Sequence, residues 1–204
     1  MEYSEVQVKI KDAARKLFVG KGLKGTTVRD IAAEANVNVA MVNYYFRSKD
    51  KLFETIFEEA TSKLAEKLFY LADTDMPFFE LVRQWIYSYY DMLLKYPDFP
   101  TFVLMELATS SQKMKIKSKK KKMFNLYDKL AKCIQKEEEK GTIHPVPVTD
   151  FLLNIVSLSI FPFAASPVAT RFLNIPKDEY LKTLEKHKEY VADFVIRAIK
   201  KENQ

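Results

Sequence analysis

The stretch Thr26–Phe53, TTVRDIAAEANVNVAMVNYYFRSKDKLF, decides the fold. It holds two short helical patterns, about seven to nine residues each, separated by a tight polar turn and followed at once by a third helix start. That arrangement is a helix-turn-helix, in which one helix is braced across another so that it can enter a DNA major groove.

Within the stretch, Thr26 reads as an N-cap, its hydroxyl accepting from a free backbone N–H of the helix that follows. That second helix buries Val28, Ile31, Ala32 and Ala35. Asn36-Val37-Asn38 is the turn. Asn36 suits a left-handed backbone, Val37 plugs inward, and Asn38 caps a third helix running to about Tyr44. This helix presents Val39, Ala40, Asn43 and Tyr44 outward, and turns Met41, Val42 and Tyr45 or Phe46 to the core. Ser48 caps a fourth helix, with Asp50 in its first turn. Upstream, Ile10, Ala13, Ala14, Leu17 and Phe18 recur at helical spacing. They give a first helix over about Glu5–Val19, stopped by Gly20 and Gly22.

These residues resemble the DNA-binding domain of the tetracycline-repressor (TetR) family over roughly residues 8–57. The motifs are the apolar first helix ending in Gly, then TTVRDIAAEANV, then Tyr44-Tyr45-Phe46-Arg47-Ser48-Lys49-Asp50-Lys51-Leu52-Phe53. The resemblance implies phosphate contacts from Thr27 and Lys49, backbone packing or bonding from Tyr44 and Tyr45, and base edges near Asn38, Val39, Ala40 and Asn43. Arg29 is a further candidate phosphate contact. Helix N-termini offer free N–H groups to phosphate, Asn bonds an adenine edge bidentately, and Val39 suits a thymine methyl. Two positions depart from the family pattern: Asn36 stands where Gly is frequent, and Val39 where Lys or Arg is frequent. The second departure moves the expected readout from guanine towards A·T pairs.

Beyond Phe53 the pattern stays helical. A fourth helix of about Lys49–Leu71 carries an apolar stripe of Ile56, Phe57, Ala60, Leu64, Leu68 and Phe69. A fifth follows over Pro77–Lys95, aromatic on several sides, and a sixth over Asp98–Ser110. A seventh runs to Lys140 behind a run of seven lysines between Lys113 and Lys122, which reads as a hydrated, self-repelling segment rather than a second DNA contact. An eighth starts near Val148 and is kinked by Pro162, and a ninth covers about Lys177–Lys201. The expected fold is all-α with about nine helices: a helix-turn-helix domain over residues 1–53, and a larger helical domain over 54–204 that dimerises and binds an effector. The resemblance implies that the last two helices pair with the same two of a second copy. It also raises an effector cavity among Trp85, Tyr89, Tyr90, Phe102, Met105, Leu126, Leu130 and Phe161, suited to a lipophilic ligand. A solid aromatic core is the other reading of the same residues.

Bulk properties narrow the function classes. Residues 1–53 hold ten Lys/Arg against six Asp/Glu, whereas the remaining 151 hold 23 against 21. The cationic excess thus sits where a phosphate backbone is expected, although ordinary surface charge has the same look. One cysteine, Cys133, allows no internal disulfide and fits a reducing, cytoplasmic setting. No apolar run reaches membrane-spanning length. His144 and His187 are far apart, and no metal-ligand spacing, P-loop, dinucleotide fingerprint or nucleophile motif is present. The expectation is therefore no enzyme, no cofactor and no metal. The leading reading is a homodimeric, ligand-responsive regulator, a repressor, on a pseudo-palindromic DNA operator. A non-specific architectural DNA binder and a helical enzyme or small-molecule carrier are the competing readings.

Overall fold

Capping chemistry sets the element boundaries. The computed structural model describes residues 3–101 and 120–202, with the side chains of Ala60 and of 120–124 left aside. Ser4 and Gln7 form a reciprocal cap, Gln7 N–H donating to Ser4 Oγ at 3.3 Å and Ser4 N–H to Gln7 Oε1 at 2.9 Å. Helix α1 then spans Glu5–Gly25 but breaks at Gly22 (φ 72°, ψ 169°), where two helical stretches meet, so the expected stop at Gly22 takes the form of a kink. The cap of the next helix is shifted by one residue from the expected position. Thr26 is buried, and its hydroxyl lies 2.8 Å from Gly22 O and 3.2 Å from Leu17 O, closing the end of α1. Thr27 is the N-cap of α2 (Val28–Glu34), with Asp30 completing the reciprocal pair. Asn36 is left-handed at φ 53°, as its place in the turn requires. Asn38 Oδ1 accepts from Ala40 N–H at 2.9 Å and starts α3 (Val39–Phe46). Ser48 Oγ accepts from Lys51 N–H at 3.1 Å at the start of α4 (Lys49–Ala72).

The chain forms two compact units, divided within α4 between Ser62 and Lys63. In the first, Ile10, Ala14 and Phe18 of α1 are buried together with Ile31, Val42, Phe46, Leu52 and Phe53. The Phe18 and Phe53 rings meet edge to face at 6.1 Å. A charge is buried here as well. Lys11 is 3% exposed, pairs with Glu59 Oε2 on α4 at 2.8 Å, and has its ammonium 3.5 Å from the Tyr3 ring centroid. Arg15 Nη2 approaches the same Glu59 oxygen at 3.3 Å.

The second unit is built on α5 (Phe78–Lys95), with α6 (Lys120–Glu139), α7 (Val148–Ala164), α8 (Ser166–Leu173) and α9 (Lys177–Ile199). Two aromatic pairs fix the direction of α7. Phe78–Phe151 at 6.4 Å and Tyr90–Phe163 at 5.6 Å share one offset of sequence, so α5 and α7 run parallel. Tyr90–His187 at 6.3 Å and Arg83–Asp193 at 2.7 Å reverse the order, so α9 runs antiparallel to α5. Pro162 has no N–H to give Leu158 O one turn earlier. The Tyr90 hydroxyl reaches that carbonyl at 3.5 Å, and the Tyr180 hydroxyl donates to Pro162 O at 3.0 Å. The expected kink is realised as a 60° bend between α7 and α8. Among the described residues no strand forms beyond one isolated bridge, Ile143–Lys200. The expected sixth helix is described only over 98–101; the rest of it, with Phe102 and Met105, and most of the lysine run lie outside the described residues. No single described helix is long and apolar enough to cross a membrane.

The buried Lys11–Glu59 pair carries an asymmetric expectation. Glu59→Ala strands the buried ammonium and should cost about 3 kcal/mol in urea unfolding, whereas Lys11→Met should stay within about 1 kcal/mol of the parent.

Candidate DNA-binding interface

The exposed edge of the first unit is built around α3. Eight residues are too few for a helix to hold itself together. Val42 and Phe46, one turn apart, are buried and fix its inner face. At about 100° per residue the opposite face is then Ala40 and Tyr44, with Met41 and Asn43 on its two flanks. Ala40, Asn43 and Tyr44 are exposed, and Tyr44 is 82% so. Tyr45 is partly buried, its ring edge-on to Tyr44 at 5.1 Å. Val39 lies nearer the core than expected and is partly buried. Met41, expected inward, is exposed, because it sits a full residue step away from Val42. It adds an apolar side chain to the outward edge.

The polar candidates arrange themselves around this helix. Asn38 is exposed, but its side-chain oxygen is committed to the cap, leaving its amide N–H₂ facing out. Thr27 is exposed, and its hydroxyl donates to Asp30 Oδ2 at 2.8 Å while accepting from Asp30 N–H at 3.1 Å. The backbone N–H of Thr27, and then its hydroxyl, hold the Asp30 carboxyl below the ordinary carboxylate range. That support of α2 is complete above this range and is lost as pH falls through the lowered value. The Lys49 ammonium does not stand free. It donates to Leu23 O near the end of α1 at 2.6 Å and so ties the start of α4 to α1. That bond uses one of its three donors and holds the ammonium in place, so a phosphate would meet it through the remaining two.

Two cations stand differently. Arg29 on α2 and Arg47 just after α3 are exposed, and neither forms an ion pair among the described residues. Arg47 also has a positive φ of 63°, its N–H bonded to Asn43 O at 2.9 Å. A non-glycine residue in this region costs of order 1–3 kcal/mol unless its surroundings hold it there. Sequence reading passed over Arg47 because it occupies a variable place in the motif. Its signal was the unpaired charge directly after the outward helix.

The expected effector residues lie in the second unit. Trp85, Tyr90 and Leu130 are buried, and Tyr89 and Leu126 partly so. Burial, and then the neighbouring Tyr180, push the Tyr90 phenol far up, so it stays a neutral donor. Phe161 does not join them. It is 70% exposed, since it stands about 200° around α7 from the buried Ser159. A further surface is apolar and exposed: Leu153 and Phe161 on α7, Val168, Phe172 and Leu173 on α8, and Tyr190 and Phe194 on α9. Between α7 and α9 an open groove of about 730 Å³ is lined by Leu158, His187, Tyr190, Asp193, Phe194 and Arg197. Among the described residues no group of His, Cys, Asp or Glu is placed to hold a metal.

Comparison with known proteins agrees with this geometry. Residues 10–56 match the family described as bacterial regulatory proteins, tetR family, and residues 79–195 match a tetracyclin repressor-like C-terminal domain. The chain is 31% identical over 163 residues to the probable HTH-type transcriptional regulator YttP of Bacillus subtilis (strain 168), covering 76% of this chain and 75% of that one. It is 35% identical over 101 residues to the HTH-type transcriptional repressor NicS of Pseudomonas putida, covering 46% and 44%. The ketosteroid transcriptional regulator KstR2 of Mycobacterium tuberculosis shares the fold, with a TM-score of 0.76 at 14% identity over 98% of each chain.

The anchors around α3 are testable by stability alone. Lys49→Met and Asn38→Ala are each expected to cost about 1 kcal/mol in chemical denaturation, and Arg47→Ala to cost less than about 0.5 kcal/mol.

Proposed function

The chain belongs to the TetR family of DNA-binding transcriptional regulators, and on that premise we propose that it is a homodimeric, ligand-responsive repressor of a pseudo-palindromic operator. The observation that carries the DNA half is the outward edge of α3, where Ala40, Asn43 and Tyr44 stand free while Val42 and Phe46 are buried behind them. Asn43, with Met41 and Val39 beside it, reads bases, and its amide suits an adenine edge. Arg47, Arg29, Thr27, Tyr44 and Tyr45 bind the phosphate backbone. Asn38 serves through its outward amide. Lys49 acts first as the anchor of α4 and only second as a phosphate ligand.

The apolar face of α7, α8 and α9 supports the homodimer. Exposed apolar patches of this kind mark interfaces, and Phe172, 88% exposed, is the most exposed of the large apolar side chains described. Two-fold pairing also gives two recognition helices the spacing of successive major grooves. The relative from Pseudomonas putida bears the name of a repressor, which favours that sign of regulation here. α4 belongs to both units as one unbroken helix, so it is the natural carrier of a signal between them. An effector acts only through its difference in affinity between two states, and a tenfold change in operator affinity needs about 1.4 kcal/mol.

Three measurements test this reading. In sedimentation velocity the parent should run as a dimer and a Tyr190→Glu/Phe194→Glu double variant as a folded monomer. A parent that is monomeric at micromolar concentration contradicts the interface. Asn43→Ala should erase the preference for operator over scrambled DNA while leaving weak binding to both. Equal binding of the two DNAs by the parent would favour the non-specific reading. Arg47→Ala should reduce the slope of log affinity against log salt by about 0.9 for each phosphate that the arginine neutralises in the parent.

A further inference from the structure

Among the described residues, two buried polar atoms in the core of the second unit have no hydrogen-bond partner: Trp85 Nε1 on α5 and Ser159 Oγ on α7. Their residues are 2% and 0% exposed. A helical serine ordinarily satisfies its hydroxyl on the carbonyl one turn back. Ser88 does so, donating to Gln84 O at 2.6 Å, and Ser159 does not. An indole N–H can only donate, and leaving such groups buried and unmet is costly.

The two atoms are not scattered. The Phe78–Phe151 and Tyr90–Phe163 contacts set the register of the parallel α5–α7 pair. In that register Trp85 comes level with Leu158 and Ser159. The antiparallel contacts Tyr90–His187 and Arg83–Asp193 bring Val191 and Ala192 of α9 to the same level, and both are buried. Two unmet donors therefore share one layer of an apolar core. Apart from Trp85 and the tyrosines, the buried polar side chains described in this unit are serines, and the Arg83 guanidinium nearby on α5 is already paired with Asp193. Burying a carboxylate in such a place without a partner is prohibitive, whereas a neutral oxygen acceptor recovers the unmet hydrogen bonds.

We propose that the layer marked by Trp85 and Ser159 is the effector's polar anchor point, and that it takes a neutral lipophile carrying a carbonyl or similar oxygen acceptor. This rests on the ligand-responsive reading above and names the chemistry of the ligand. Trp85 is the only tryptophan in the chain, so its emission reports on the site directly. Titration of the full-length protein with 2-undecanone should shift that emission saturably, and undecanoate should do so at least about tenfold more weakly. Ser159→Ala should raise the thermal midpoint of the free protein, because it removes an unmet hydroxyl. It should also weaken 2-undecanone binding about fivefold, the loss expected of one hydrogen bond. Trp85→Phe, followed by thermal shift, should weaken it similarly. A Ser159→Ala protein that is more stable but binds the ketone unchanged shows a merely structural cost and overturns the proposal. So does an emission that the ketone leaves unmoved, or equal binding of ketone and carboxylate. If the ketone binds at Trp85 without altering operator affinity, the site stands and the effector reading falls. If another compound releases DNA with Trp85 emission unmoved, the effector reading stands and this site falls.

Discussion

The burial of Val42 and Phe46 behind α3 is the constraint on which the reading edge depends. An eight-residue helix has no independent stability. Its orientation comes from these two side chains and from the caps at either end. Asn38 starts it, and Arg47, held at positive φ, turns the chain sharply into α4. The Lys49 bond to Leu23 O and the buried Lys11–Glu59 pair then tie α4 back to α1. What remains outward, Ala40, Asn43 and Tyr44 with Met41 at the flank, is small or polar enough to approach a groove and is not needed for the core.

The second unit follows a different logic. Its core is dominated by aromatic and aliphatic side chains from α5, with α7 parallel and α9 antiparallel to it. Pro162 breaks the backbone pattern of α7, and two buried tyrosines, Tyr90 and Tyr180, take up the carbonyls around the break. The bend directs α8 away with Val168 and Phe172 exposed. One sequence feature thus accounts for both the tyrosine bonds to the carbonyls around the break and an exposed apolar surface. Of the tyrosines expected at the cavity, Tyr90 is occupied with this work, and the unmet polar atoms lie instead on Trp85 and Ser159.

Much of the first unit was legible because its signals are local. Caps, the left-handed Asn36 and the apolar spacing act within a few residues, and the family match covers residues 10–56. The errors there were of one residue. Thr26 and Thr27 look equivalent in sequence, and burial of Thr26 decides which one caps α2. Met41 and Val42 are equally apolar, and only the phase of α3 separates them. The commitment of the Lys49 ammonium to Leu23 O joins residues 26 apart, which no local pattern contains. In the second unit the helices were readable but their roles were not. Phe161 looks like a core aromatic, and its exposure follows from the phase of α7. That Trp85 and Ser159 share one level follows only from the register of two helices distant in sequence.

The central claim is that two copies of the α3 edge read two half-sites. Hydroxyl-radical footprinting on DNA flanking the protein's own gene tests it most directly. The account predicts two protected patches on one face of the duplex, centred about one helical turn, 34–36 Å, apart or a multiple of it, related by two-fold symmetry. A single patch, or even protection with no preferred position, would contradict it.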